Sequence, residues 1–255
     1  MAVIAVDCDD TLSRTNETIC RWHNETYGTD FTIDDFEHFQ YWRNRGWGDR
    51  AMAQKKVKEF NHSAAWNEIP VIQEAIAATK KLKELGHTLI IITARMASEA
   101  ERTRDWVSAV FPDTFTEIYF TSAFESRVAS HPSGQDVEAA NKQPESVSGF
   151  KLLPFKSIPK PKSDICKLIG AKVLVDDSIE NAYEVHENAG IPVALYGDWK
   201  WNKKEMDEQA ANSPKSHAQR IQDGDVEPSK PAQLPAQIIR TTTWEAVVQL
   251  VQEQF

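Results

Sequence analysis

The sequence predicts an α/β fold, a Rossmann-like parallel sheet with helices on both faces, and three observations carry that expectation. Short apolar runs at 3–6, 88–92 and 172–175 show no polar alternation, which is the pattern of strands buried on both faces. Each run closes on polar residues: Asp7, Thr93 and the pair Asp176-Asp177. Amphipathic helical stretches separate the runs, and Gly86, Gly170 and Gly190 stop helices just before the next apolar run. Such a rhythm requires parallel pairing, with the crossover helices packed on the sheet faces.

After the first strand, residues 13–70 hold no comparable apolar run but do hold helical stretches at 16–27, 33–42 and 49–60. They read as a small inserted helical module, leaving 1–12 and 71–255 as the α/β core. Pro70 opens a helix running to about residue 85, and the strand 88–92 follows. A helix at 98–110 leads to a third strand at 117–120. Then come a helix at 162–169, a strand at 172–175, a helix at 179–189 and a strand at 192–196. Two polar stretches, 124–161 and 203–237, break the rhythm and read as surface excursions too poor in apolar residues to order themselves. An amphipathic helix at 243–253 would dock Val247, Leu250 and Val251 on the core.

With 255 residues and 41% apolar content, the chain is long enough for a substantial core. A net charge of -9 and a pI near 5.3 argue against a nonspecific grip on nucleic acid polymer. No run approaches membrane-spanning length, so no membrane partner is expected. The apolar start is too short for a secretory signal. Cys8, Cys20 and Cys166 are an odd count without metal-type spacing, and a reduced, cytoplasmic protein is the expectation. Oligomeric state is not legible.

In open parallel sheets the carboxyl ends of the strands share one edge, where ligands bind. Asp7, Asp9 and Thr11 would project into a crevice there, joined by Thr93 and by Asp176-Asp177. Asp10 faces the other side of the turn and reads as structural. Lys156, Lys160 and Lys162 all precede the helix between these strand ends. Lys162 leads, because Ser163-Asp164 begin the helix and the apolar pattern follows.

A strand-end carboxylate, a strand-end hydroxyl, a lysine and a distal acid pair, in that order, resemble the four motifs of the haloacid dehalogenase-like (HAD) hydrolase superfamily. The resemblance implies that Asp7 is a nucleophile for the phosphoryl group and that Asp9 protonates the leaving oxygen, then activates water. It implies that Thr93 bonds the phosphoryl oxygens and that Lys162 neutralises charge. It also implies Mg²⁺ held by Asp7, the main-chain carbonyl of Asp9 and Asp177, with Asp176 a further candidate. A carboxylate approaching a phosphate dianion is repelled by several kcal/mol per charge pair at roughly 4 Å, which a cation and a lysine offset. Asp9 must carry a proton in the first step, and neighbouring negative charge is expected to raise its pKa. An acid at position 9 favours a phosphatase over a dehalogenase. A phosphotransferase would share these residues, and a catalytically silent binding protein would keep the pocket without turnover.

Within the superfamily the insertion point is that of a small helical cap. Four of the eight tryptophans lie in it, and Tyr41-Trp42-Arg43-Asn44-Arg45-Gly46-Trp47-Gly48 combines flat rings with guanidinium groups. Arg43, Arg45 and Trp47 are therefore candidate substrate contacts. The competing reading puts the tryptophans in the module's own core. Thr93-Ala94-Arg95, Val175-Asp176-Asp177-Ser178 and Trp201-Asn202 resemble the 5′(3′)-deoxyribonucleotidase, or 5′-nucleotidase type C, branch. That likeness implies a small phosphate ester such as a nucleotide, with Thr93, Ala94 and Arg95 near the phosphate. Pairing of Arg95 with a helix acid is the alternative.

Overall fold

The computed structural model describes residues 1–121, 153–203 and 234–255. Seven parallel strands form one sheet: β1 (Val3–Val6), β2 (Thr88–Thr93), β3 (Phe115–Phe120), β4 (Phe155–Ser157), β5 (Val173–Asp176), β6 (Val193–Tyr196) and β7 (Ile238–Thr241). Their spatial order is β4-β3-β2-β1-β5-β6-β7. The chain builds outward from β1 in one direction, then returns to β1 and builds the other way. The order reverses between β1 and β5, and the crevice at such a switch point is where open sheets bind ligands.

Successive residues of each strand feed opposite layers, which explains the unbroken apolar runs. Ile4, Val6, Leu89, Ile91, Val173 and Val175 join one layer, while Ala5, Ile90, Ile92 and Leu174 join the other. The first layer is covered by α3 (Gln73–Glu84), α4 (Ala100–Val110) and α7 (Trp244–Gln254). The second is covered by α5 (Lys162–Ile169) and α6 (Ile179–Ala189). Burying each large aliphatic side chain contributes about 1.5–3 kcal/mol, against a total spread of roughly 1 kcal/mol in strand propensity. Packing on both faces therefore decides these strands.

A third apolar cluster is built mainly by residues 13–70, with α1 (Thr15–Tyr27) and α2 (Arg50–His62) around Trp22, Phe36, Trp47 and Phe60, and Trp201 from after β6 joins it. The chain leaves and returns side by side, since Arg14 N donates to Pro70 O at 2.8 Å and Ile72 N to Leu12 O at 2.8 Å. Ser13 forms isolated bridges with Asp9 and Val71. These contacts occupy residues 70–72 with extended pairing, so α3 begins at Gln73 rather than at Pro70.

Two further expectations are corrected. The helix read at 33–42 is instead two 3-10 turns, Ile33–Asp35 and Tyr41–Arg43. The Asn44 side chain accepts from Glu37 N and His38 N at 2.9 Å each, and donates to His38 O and Gln40 O. It supplies partners that an α-helical ladder would otherwise need. The excursion read at 124–161 contains the edge strand β4, only three residues long, with Leu153 and Phe155 packed on the core. Flanking prolines and a mid-strand Lys156, paired with Glu117 at 2.6 Å, mask its signal. The rest of that stretch from 124 to 152, and most of 203–237, lie outside the described residues. Among the described residues no helix is long and apolar enough to cross a membrane. All three cysteines are free and buried.

Candidate active site

Asp7 follows β1 directly, and its backbone N donates to Val175 O at 2.9 Å, so the strand ladder fixes where its carboxylate emerges. Asp176 ends β5 beside it. The Nζ of Lys162, in the first turn of α5, lies 2.7 Å from Asp7 Oδ1 and 2.7 Å from Asp176 Oδ2. Of the three candidate lysines, this one reaches the strand ends. Lys156 instead pairs with Glu117 and bonds the Tyr119 hydroxyl at 3.2 Å.

Asp176 is saturated by donors. Besides Lys162, it accepts from Ser178 N at 2.9 Å and from Asn181 Nδ2 at 3.0 Å. Asp177 turns the other way and accepts from Trp201 Nε1 at 2.6 Å. One oxygen from each of Asp7, Asp176 and Asp177 falls within a 4.8 Å group, all three residues being buried. Three hard carboxylate donors of this kind match the oxygen preference of Mg²⁺ and give no soft ligand for zinc or copper. Burial raises Asp7 to about 7, with Asp176 and Asp9 adding to the rise and Lys162 opposing it. Burial likewise lifts Asp177 well above the usual carboxylate range, helped by Asp7, Asp176 and Asp10. Burial alone would lower Lys162, but Asp176 and Asp7 outweigh it and hold the ammonium charged.

Asp9 departs from expectation. Arg95 grips it through Nη2 to Oδ1 at 2.7 Å and Nε to Oδ1 and Oδ2 at 3.2 and 3.1 Å, and Thr15 Oγ1 donates to Oδ1 at 2.5 Å. Burial would raise this carboxyl, yet the Arg95 charge and hydrogen bonds, with Thr15, hold it below its ordinary value. The predicted upward shift is therefore reversed, because the nearest charge is positive. Arg95 pairs with Asp9 rather than with a helix acid, and its Nη1 donates to Thr103 Oγ1 at 3.2 Å. The Trp66 ring lies 5.2 Å from its guanidinium carbon, tying the arginine to the helical module.

A cavity of about 100 Å³ opens over these groups, lined by Asp7, Asp9, Asp10, Asp177, Lys162, Arg95, Ala94 and residues of α1 such as Asn16. Thr93 and Thr11 are not among its walls. Thr93 is fully buried and its Oγ1 accepts from Arg95 N at 3.2 Å, so it shapes the turn after β2. Thr11 is fully buried, and its carbonyl accepts from Trp244 Nε1 at 3.0 Å. Asp10 sits at φ 53 and accepts from Asn16 N at 3.1 Å, which pins the acidic turn to α1.

The module residues chosen from sequence fall elsewhere. Trp47 is 1% exposed and stacks on Tyr41 at 4.5 Å, inside the module's core. Arg45 pairs with Asp30 at 2.9 Å and Asp35 at 3.5 Å and covers the Phe31 ring. Burial raises the Glu180 carboxyl, which hydrogen bonds and the nearby Arg43 charge oppose, and Arg43 does not line the cavity. Side chains not singled out for the site complete it: Thr15 on Asp9, Asn181 on Asp176 and Tyr41, whose hydroxyl donates to Asn16 Oδ1 at 2.8 Å. Asn181 carried a usable signal, as a polar residue in the first turn after a strand-end acid pair.

A central parallel sheet with an acid cluster and a bridging lysine at its switch point defines an α/β protein of HAD-like fold. The fold comparisons agree. A predicted phosphatase from Clostridium acetobutylicum superposes with a TM-score of 0.54 at 12% identity, covering 99% of this chain and 98% of that one. The L-2-haloacid dehalogenase of Xanthobacter autotrophicus, with chloropropionic acid covalently bound, gives 0.54 at 11% identity over 100% of both chains. A HAD family hydrolase from Deinococcus radiodurans, with bound phosphate and sodium, gives 0.51 at 13%, covering 99% and 96%. No family model matches the chain, and no curated protein matches it in sequence.

Proposed function

We propose that the protein is a Mg²⁺-dependent phosphomonoester hydrolase working through an aspartyl phosphate on Asp7. The observation that carries this reading is Lys162, held at 2.7 Å from both Asp7 and Asp176 where β1 meets β5. An Asp7 oxygen attacks phosphorus and the bond to the leaving oxygen breaks, with Asp9 giving that oxygen a proton. Water then attacks the acyl phosphate, Asp9 takes its proton, and inorganic phosphate leaves with Asp7 regenerated. As held by Arg95, Asp9 is the base needed for the water step. The protonating step needs Arg95 to shift from Asp9 towards the incoming phosphoryl oxygens, in the cavity that both residues line. Asp7, Asp177 and the carbonyl of Asp9 would hold the cation, and Asp176 would orient Lys162. The bound cation supplies charge neutralisation between the two anions.

Residues 13–70 act in this reading as the cap over the site. The substrate is a small phosphate ester, and a nucleotide is the particular case suggested by residues 93–95, 175–178 and 201–202. Of these, Ala94, Arg95 and Asp177 line the cavity, while Trp201 on Asp177, and Asn202 on the carbonyls of Tyr196 and Gly197 at 2.9 and 3.2 Å, support it from behind. The test is p-nitrophenyl phosphate hydrolysis with Mg²⁺, by wild type and by Asp7→Asn. Metal-dependent turnover is expected, with a loss of about a thousandfold or more in the variant. Absence of metal-dependent turnover on any phosphate ester would sink the proposal.

A further inference from the structure

A second cavity, about 440 Å³, adjoins the acidic one and shares Phe39, Ala94, Lys162 and Asn181 with it. Its size falls in the range of small-molecule sites, whereas the acidic cavity of about 100 Å³ has room for little beyond a phosphoryl group. The helical module contributes Trp42, Arg50 and Gln54 to it, and the segment after β4 contributes Lys160. A phosphate ester with its phosphorus at Asp7 would place its leaving group here.

The charges in this cavity are unequal in their commitments. Glu180 accepts from Ser178 Oγ at 3.1 Å and from Gln40 Nε2 at 3.4 Å, with the Arg43 charge close by. Glu184 is taken by the backbone N and hydroxyl of Ser163. Arg50 and Lys160, by contrast, have no ion-pair partner among the described residues. Arg50 stands 5.0 Å over the Trp42 ring, a contact that holds its guanidinium without neutralising it. Among the described residues, then, the acids have hydrogen-bond donors while these two cations have no carboxylate partner.

Building on the phosphohydrolase reading, we infer that this cavity is a leaving-group subsite for phosphomonoesters carrying a second anion, a carboxylate or a phosphate, which Arg50 and Lys160 receive. Arg43, Arg45 and Trp47, the contacts expected from the sequence, do not line this cavity. The structure turns Trp42 and Arg50 to the cavity instead.

The test compares kcat/KM for phenyl phosphate, 4-carboxyphenyl phosphate and 1,4-phenylene bisphosphate, using wild type, Arg50→Gln, Arg50→Lys and the Arg50→Gln/Lys160→Gln double variant. Wild type is expected to prefer the two esters that carry a second anionic group by about tenfold, the scale of one charge-assisted hydrogen-bonded contact. The preference, expressed mainly in KM, should shrink in Arg50→Gln, vanish in the double variant and be partly restored in Arg50→Lys. Lys58→Gln, on the same helix but outside the cavity, should keep it. The two anionic esters, ranked against each other, distinguish a carboxylate from a phosphate ligand. Equal kcat/KM for all three esters in wild type, or a preference untouched by the double variant, would overturn the subsite while leaving the hydrolase reading intact. Hydrolysis of none of them would overturn both.

Discussion

Lys162 is 5% exposed and carries the only cationic contact, among the described residues, to Asp7 and Asp176. Removing one partner from a buried charge cluster costs about 3–5 kcal/mol, because the remaining charges lose their compensation in a poorly solvated site. Lys162→Met is therefore expected to unfold that much more easily in urea at pH 8 without added metal. The gap should narrow towards acid. Without the lysine, the Asp7 carboxyl rises further above its unfolded value, so the penalty is full at high pH and relieved by protonation. A gap that stays constant with pH would contradict this account. The positions of Asp7, Asp9, Asp176 and Asp177 were legible because strand ends announce themselves by a change of polarity, and that of Lys162 because Ser163-Asp164 mark a helix start. Arg95 as the partner of Asp9 was not, since 86 residues separate them and no local pattern encodes that pairing. Thr93 and Thr11 show the same limit. Their positions after the apolar runs were readable, but Thr93 Oγ1 is taken by Arg95 N and the Thr11 carbonyl by Trp244 Nε1, contacts that no local pattern encodes.

Helices with a capping residue and a regular apolar face were readable. α2 follows the Asp49 side chain, which accepts from Met52 N at 2.8 Å, and α5 and α6 have the predicted bounds. The 33–42 segment was misread because its backbone is satisfied by one distant side chain, Asn44, that periodicity does not register. Within the helical module, α1 and α2 are joined at His23. Its Nδ1 lies 2.8 Å from Thr29 Oγ1 and its Nε2 lies 3.0 Å from Lys56 Nζ, among the rings of Tyr27, Phe31 and Trp47. Burial, then the Lys56 charge, lowers His23 to about 4 from 6.5. Because the unfolded chain binds this proton more readily, the contribution is fully present above pH 6.5 and is lost as pH falls towards 4. The loss approaches roughly 3 kcal/mol for a shift of this size. Urea unfolding of wild type and His23→Gln between pH 7.5 and 4.5 checks it. The wild type should lose more stability than the variant across that window, and parallel pH profiles would refute the assignment.

The strand order β4-β3-β2-β1-β5-β6-β7 gathers Asp7, Asp176 and Asp177 from two neighbouring strand ends and buries them together. One lysine does not balance three carboxylates, so the fold retains local repulsion that a divalent cation would relieve. A ligand that binds only the folded chain adds about 2.7 kcal/mol at a hundredfold excess over its dissociation constant. For a chain of this length that corresponds to roughly 5–10 °C in Tm. Mg²⁺ is accordingly expected to raise Tm by that amount, and EDTA to reverse it. Asp177→Asn should behave in the opposite sense. Removing one of the crowded charges, while Trp201 Nε1 can still donate to the amide oxygen, should raise the metal-free Tm above that of the wild type. The same change deletes a ligand oxygen, so added Mg²⁺ should then do little, and hydrolysis should fall with it. Thermal melts of both proteins, with Mg²⁺ and with EDTA, separate the two effects. An equal Mg²⁺ response in Asp177→Asn would remove Asp177 from the cation site, and a lower metal-free Tm would show that its charge stabilises the fold.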